Sequence, residues 1–232
     1  MQYKDLFIDF DDTLYDTHGN AVLALKELFD FFGWEKNFAD PELFYRKYWE
    51  ANVELWSQYA KGEITRPYLI IERFRRPLSI GNGLELTDEY CLEVSDKFLA
   101  LCSVKPGVVK DAHQLVRYLR ERGYRMHICS NGFHEVQYKK LRASELIDYF
   151  DTIILSEDAG ANKPSQQFFD YAIRQTGADP ASTLMIGDNF VTDIQGAKHY
   201  GLDVMFFNQH GAQATEPVNY EVHSLAEIMN IL

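Results

Sequence analysis

Five short apolar runs decide most of what this chain can become: Leu6–Phe10, Arg125–Cys129, Thr152–Leu155, Leu184–Ile186 and Val204–Phe207. Each is bounded by Gly, Asn, Asp or Ser and lacks polar alternation, which predicts strands covered on both faces. Helical periodicity fills the gaps between the later ones. Pro106–Arg122 repeats Val108, Val109, Ala112, Leu115, Val116 and Leu119 at helical spacing; Pro106 suits a first helical position and Gly123 a left-handed cap. Pro164–Thr176 stripes Phe168, Phe169, Ala172 and Ile173 ahead of Gly177, and Ile194–Tyr200 closes at Gly201. The tail HSLAEIMNIL pairs Ser224 with Glu227 as a capping box. Strand–helix–strand alternation from residue 104 onward implies an α/β fold, a parallel sheet with helices on both faces.

Residues 16–103 break that rhythm. AVLALKELFDFFG, PELFYRKYWEANVELWSQYA, RPYLIIERFRRPL and TDEYCLEVSDKFLALC read as helices with no strand among them. They are too apolar and periodic for a linker, so the expected organisation is a sheet domain from 1–15 and 104–232 with a helical domain inserted at 16–103. A formal charge of −12 argues against nucleic-acid polymers and anionic membranes as partners, and leaves a small phosphorylated ligand open. Cys91, Cys102 and Cys129 show neither metal spacing nor pairing, which suits reduced thiols. No apolar run approaches the ~18 residues that span a bilayer, and acids appear as early as Asp5 and Asp9, against an export leader. A cytoplasmic location is expected.

Open parallel sheets bind ligands outside the carboxyl ends of their strands. Those ends collect an unusual set of polar residues. FIDFDDTLYDT delivers Asp9, Asp11 and Thr13; HICSNG delivers Ser130, Asn131 and Gly132; NKP carries Lys163; GDNFVTD supplies Asp188 and Asp193. Taken singly, each has an ordinary reading as a turn or cap, with Thr192 suited to an N-cap and Asp193 to a first helical turn. Together they are complementary. Two carboxylates about 4 Å apart repel by roughly 4 kcal/mol at an effective dielectric of 20, so the acids need a cation. Asp9 and Asp188 can offer hard oxygen ligands to Mg²⁺, while Ser130, the adjacent backbone N–H groups and Lys163 can bind phosphate oxygens.

DFDDT after an apolar run, CSN, NKP and GDNFVTD, in that order, resemble the four motifs of the haloacid-dehalogenase-like hydrolase superfamily. The resemblance implies a Rossmann-like sheet in the order 5-4-1-2-3 with an inserted helical cap. By the same resemblance Asp9 corresponds to the nucleophile and Asp11 to the general acid/base. The metal ligands would be Asp9, Asp188 and the Asp11 backbone carbonyl; Ser130, Asn131 and Lys163 would bind phosphate, with Thr13 and Asp193 in support. LWSQYAKGEIT, SNGFHEVQ and DYFDTIILSEDAGANKPSQQFFDYAIRQTG are similar to bacterial nucleotidases acting on pyrimidine and non-standard nucleoside monophosphates.

The expectation is therefore a Mg²⁺-dependent phosphatase working through an aspartyl-phosphate, with nucleoside 5′-monophosphates as substrates. Dehalogenases of that superfamily typically lack an acid two residues after the nucleophile, so by the same resemblance Asp11 implies phosphate chemistry over carbon–halogen cleavage. Alternatives are a sugar-phosphate or phosphoglycolate phosphatase, a β-phosphoglucomutase-like mutase using Arg66, Arg73, Arg75 and Arg76, or a non-enzymatic phosphoacceptor switch. Trp56 and Tyr59, three residues apart, are read first as packing residues, and Phe133 and His134 as a helix start.

Overall fold

The computed structural model describes residues 2–232. In chain order the elements are β1 (Asp5–Ile8), α1 (Thr17–Phe32), α2 (Pro41–Ala60), α3 (Arg66–Leu78), α4 (Asp88–Cys102), α5 (Ala112–Glu121), β2 (Arg125–Ser130), α6 (His134–Ala143), β3 (Thr152–Leu155), α7 (Ser156–Ala159), α8 (Gln166–Thr176), β4 (Thr183–Gly187), α9 (Gly196–Tyr200), β5 (Asp203–Phe207), β6 (Tyr220–Val222) and α10 (Leu225–Ile231). They form two compact units, Met1–His18 with Pro106–Leu232, and Gly19–Lys105.

The first unit is an α/β sheet. All strands pair in parallel, in the order β3-β2-β1-β4-β5-β6. Alternate residues of β1 serve opposite cores, as a strand's two-residue period requires. Leu6 and Ile8 pack with Leu115, Val116 and Leu119 of α5 and Leu225 and Ile228 of α10. Phe7 packs on the other face with Phe168, Phe169 and Ala172 of α8. Helices thus cover both faces, and the continuous apolar strands are explained. Gly123 (φ 83) and Gly177 (φ 63) take the left-handed conformation that ends α5 and α8.

Four local expectations are corrected. The sheet has a sixth strand, β6, which extends the expected order by one. Pro106 does not open a helix: Val108 bridges to Tyr15 and the Val109 N–H bonds the Leu14 carbonyl at 2.9 Å, so this backbone serves the loop after β1 until Asp111 (φ 68) turns it into α5. Likewise α8 begins at Gln166, because Ser165 is its cap, accepting from the Gln167 N–H at 3.2 Å. At the tail Glu227 reaches back to the His223 N–H at 3.1 Å, while Ser224 Oγ donates to Glu227 instead of capping the backbone.

The second unit is helical, with an aromatic core of Phe29, Trp34, Phe44, Tyr48, Phe74 and Phe98. Trp34 satisfies its buried indole N–H on the Tyr90 hydroxyl at 2.8 Å. Trp56 and Tyr59 pack edge to face within α2 at 5.7 Å. All three cysteines are buried and none forms a disulfide. Among the described residues no helix is long and apolar enough to cross a membrane.

Candidate active site

Strand register builds the site. Ile8 of β1 lies level with Ile128 of β2 and Ile186 of β4. One residue beyond Ile8 is Asp9; two beyond the others are Ser130 and Asp188. Since β1 is where the strand order reverses, these residues flank the crevice in which open α/β sheets bind ligands. The Asp9 N–H bonds the Ile186 carbonyl at 2.9 Å and so fixes the first residue past the strand.

Lys163 is the centre of the charged group. The residue is only 1% exposed. Nζ donates to Asp9 Oδ1 at 2.6 Å, Asp193 Oδ1 at 2.7 Å and the Cys129 carbonyl at 2.6 Å. All three ammonium hydrogens therefore have acceptors. Burial lowers the affinity of Lys163 for its proton, but Asp193 and Asp9 outweigh it and hold the amine charged. Asn131 secures the lysine's backbone: its amide donates to the Lys163 carbonyl at 3.0 Å and accepts from the Lys163 N–H at 2.8 Å. The side chain expected at phosphate is thus tied to the loop that carries Lys163.

Asp9, Asp188 and Asp193 each offer a carboxylate oxygen within 4.8 Å of the others. Burial, then repulsion from Asp193 and Asp11, pushes Asp9 up to about 8 despite Lys163. Burial and the charges of Asp9 and Asp193 raise Asp188 well above the usual carboxylate range. Thr13 steadies Asp188, with its hydroxyl 3.1 Å from Oδ1 and from the Asp188 N–H. Asp193 also accepts from the Asn189 N–H at 3.1 Å and the Thr192 hydroxyl at 3.2 Å. The cap of this π-helical turn, Phe190–Gln195, is Asn189, which accepts from Val191 and Thr192 N–H groups, not Thr192. Three crowded acids facing one ammonium make a hard-oxygen donor set with surplus negative charge, and that fits a divalent cation.

Asp11 lies in a different environment. Oδ1 accepts from Lys140 Nζ and the Thr17 hydroxyl, both at 2.5 Å; Oδ2 accepts from Gln137 Nε2 at 2.5 Å. Burial alone raises its pKa, but the Lys140 charge and these hydrogen bonds prevail and hold it below the usual carboxylate range. Gln137 also donates to Ser130 Oγ at 2.6 Å, which accepts from the Gly132 N–H at 3.0 Å as well. Asp12 turns the chain at φ 59 and caps the His18 N–H at 2.9 Å. Phe133 is buried at the entry to α6, and the His134 N–H bonds Glu157 at 2.7 Å.

Gln137 and Lys140 escape a reading of strand ends because they come from α6. A signal exists nonetheless: they share the buried stripe of that helix with Val136 and Leu141, where polar residues are out of place.

Residues 3–201 match the haloacid dehalogenase-like hydrolases. The chain belongs to that family. Pyrimidine 5′-nucleotidase PynA of Streptococcus pneumoniae is 30% identical over 236 residues, covering 100% of this chain and 96% of its own length. Pyrimidine 5′-nucleotidase YjjG of Escherichia coli is 30% identical over 238 residues, covering 100% and 99%. The crystal structure of the Bacillus subtilis HAD-hydrolase YfnB bound to magnesium matches with a TM-score of 0.89 at 28% identity, covering 100% of this chain and 99% of that one.

Proposed function

We propose that this hydrolase is a Mg²⁺-dependent phosphatase that cleaves small phosphate monoesters through an aspartyl-phosphate on Asp9, with nucleoside 5′-monophosphates as substrates. The observation that carries the reading is the Lys163 ammonium held between Asp9 and Asp193 at the sheet's switch point, beside a third carboxylate, Asp188. The two full-length nucleotidase relatives support the choice of substrate.

Asp9 and Asp188 would hold Mg²⁺ with the Asp11 carbonyl, and Asp193 would anchor the loop beside them. When bound, the ion supplies positive charge that offsets the phosphoryl oxygens. A carboxylate oxygen of Asp9 attacks phosphorus in line, the bond to the ester oxygen breaks, and the departing alkoxide takes a proton from Asp11. Water then attacks the phosphorus of aspartyl-phosphate, Asp11 receives the water's proton, and the Asp9–phosphorus bond breaks to free phosphate. Ser130 donates to a phosphoryl oxygen, and the charge of Lys163, whose three hydrogens go to Asp9, Asp193 and the Cys129 carbonyl, offsets the phosphoryl charge from beside Asp9. Asp11 stands here in its ionised form, the one the second step uses; the first step uses the protonated form, which an anionic phosphate drawn up beside it favours.

Of the four arginines that a mutase's second phosphate position would draw on, three are engaged within the helical unit. Arg73 is buried, with its guanidinium 5.4 Å from the Phe74 ring and 5.2 Å from the Phe98 ring. Arg75 pairs with Glu72 and Asp88, and Arg76 with Glu54 and Glu72. The test is phosphate release from a panel of nucleoside monophosphates and sugar phosphates with Mg²⁺ or with chelator. Nucleotides should be hydrolysed only with Mg²⁺, and Asp9→Asn should lose turnover by on the order of 10³-fold or more. Undiminished turnover in Asp9→Asn would overturn the mechanism.

A further inference from the structure

α6 sets Gln137 and Lys140 one turn apart, and both are buried. Their contacts give each a defined task. An amide nitrogen carries two hydrogens. Gln137 directs them to Asp11 Oδ2 at 2.5 Å and Ser130 Oγ at 2.6 Å. The amide oxygen Oε1 is buried without a partner, and turning the amide over would set that oxygen against the Asp11 carboxylate. The orientation of Gln137 is therefore fixed by Asp11. A serine hydroxyl has two acceptor positions and one hydrogen. Ser130 Oγ accepts from Gln137 and from the Gly132 N–H at 3.0 Å, which leaves it only a hydrogen to offer. An obligate donor suits a phosphate oxygen. Lys140 and Thr17 meanwhile hold the other oxygen of Asp11. Gly132 permits the approach, since a Cβ there would overlap the Gln137 side chain.

We propose that Gln137 is a positioning residue of the reaction, one amide that makes Ser130 a donor toward phosphate and aims Asp11 for proton transfer, with Lys140 fixing the far side of that carboxylate. This rests on the phosphatase reading and deepens it.

The test compares two esters under steady-state conditions. A nucleoside 5′-monophosphate expels an alkoxide that needs a proton, whereas p-nitrophenyl phosphate expels a phenolate that leaves without one. Gln137→Met should lower kcat/KM for the nucleotide by about 10²-fold or more, and for the aryl ester by at least about tenfold less. In a Ser130→Ala background it should lower aryl-ester hydrolysis by less than about threefold further, because the two residues act as a unit. Gly132→Ala keeps every polar group and displaces the amide, so it should give the same split between esters even if Gln137→Met does not fold. Equal losses on both esters, or losses under about twofold on both, overturn the proposal. A parent chain that hydrolyses neither ester overturns the phosphatase reading and this proposal with it, and parent turnover in the same assay tells the two failures apart.

Discussion

Replacing Lys163 by methionine should destabilise the sheet unit more than almost any other single change on its surface or at its site. Methionine fills much of the same volume, so lost packing is a small part of the effect. The larger part is electrostatic. Nζ lies 2.6 Å from Asp9 Oδ1 and 2.7 Å from Asp193 Oδ1. At an effective dielectric of 20 each contact is worth roughly 6 kcal/mol before desolvation is counted. Burying the ammonium offsets most of that gain, which is why removing one member of a buried pair costs about 3–5 kcal/mol in practice. Here the loss strands two carboxylates, with Asp188 as a third close by, and the Cys129 carbonyl loses its donor as well. For a chain of this size that corresponds to a fall in melting temperature of about 6–20 °C. The assay is calorimetric melting of parent and variant in chelator. Only the transition of the sheet unit should move, because Lys163 belongs to Pro106–Leu232. Millimolar Mg²⁺ should narrow the gap by restoring positive charge among the acids. A variant that melts within about 2 °C of the parent in chelator would refute the reasoning, since the carboxylates would then not depend on Lys163 for compensation.

Two further outcomes follow from the same geometry. Gly187→Ala should destabilise by about 1–3 kcal/mol and weaken Mg²⁺ binding in a calorimetric titration, because the added Cβ overlaps the buried Asp193 carboxylate, which has no room to retreat. His127 reports on pH: burial lowers its pKa below 6.5, although Asp5 at 3.0 Å pulls the other way. Below pH 6.5 the unfolded chain takes up a proton that the native histidine resists, so stability falls as pH drops through that range. His127→Gln should flatten this loss in urea unfolding between pH 7.5 and 5.5.

The strands were legible because burial on both faces writes itself as continuous apolarity. β6 was not: Tyr-Glu-Val is three residues long and half exposed, too short for any period to declare itself. Two prolines misled about helix starts for one reason. Proline fixes a backbone angle that helix and loop share, and at Pro106 and Pro164 the neighbouring loops claim the hydrogen bonds. Asp9 and Asp188 stand one residue past strand ends and Lys163 and Asp193 on the segments that lead away from them, where a reading of the sheet's carboxyl edge reaches them, and the structure gathers their side chains. The role of Asn131 was hidden, because a turn residue's side-chain partner, here the Lys163 backbone 32 residues away, leaves no trace in its own neighbourhood. Gln137 and Lys140 were hidden by the opposite habit. Polar residues on a helix are first assigned to its wet side, and only the positions of Val136 and Leu141 reveal that this side is dry.

The cluster of acids in DFDDT is best understood as a way of keeping two charges apart. On a continuing strand, residues two apart point to the same side, and Asp11 would lie directly above Asp9. β1 instead ends at Ile8, and the chain turns within four residues, with Asp12 in the left-handed region that Asp tolerates and its carboxylate capping the His18 N–H. The turn sends Asp9 to Lys163 and Asp11 to Lys140, two ammonium groups carried by different parts of the sheet unit. The two carboxylates still sense each other, since Asp11 contributes to the raised pKa of Asp9, but their surroundings push them in opposite directions. These tendencies are the reverse of what attack by ionised Asp9 and proton donation by Asp11 require, so a cation beside Asp9 and an anionic phosphate beside Asp11 would have to invert them. A β-branched residue at position 12 would resist the left-handed turn, and the separation of the two carboxylates would be the first thing lost.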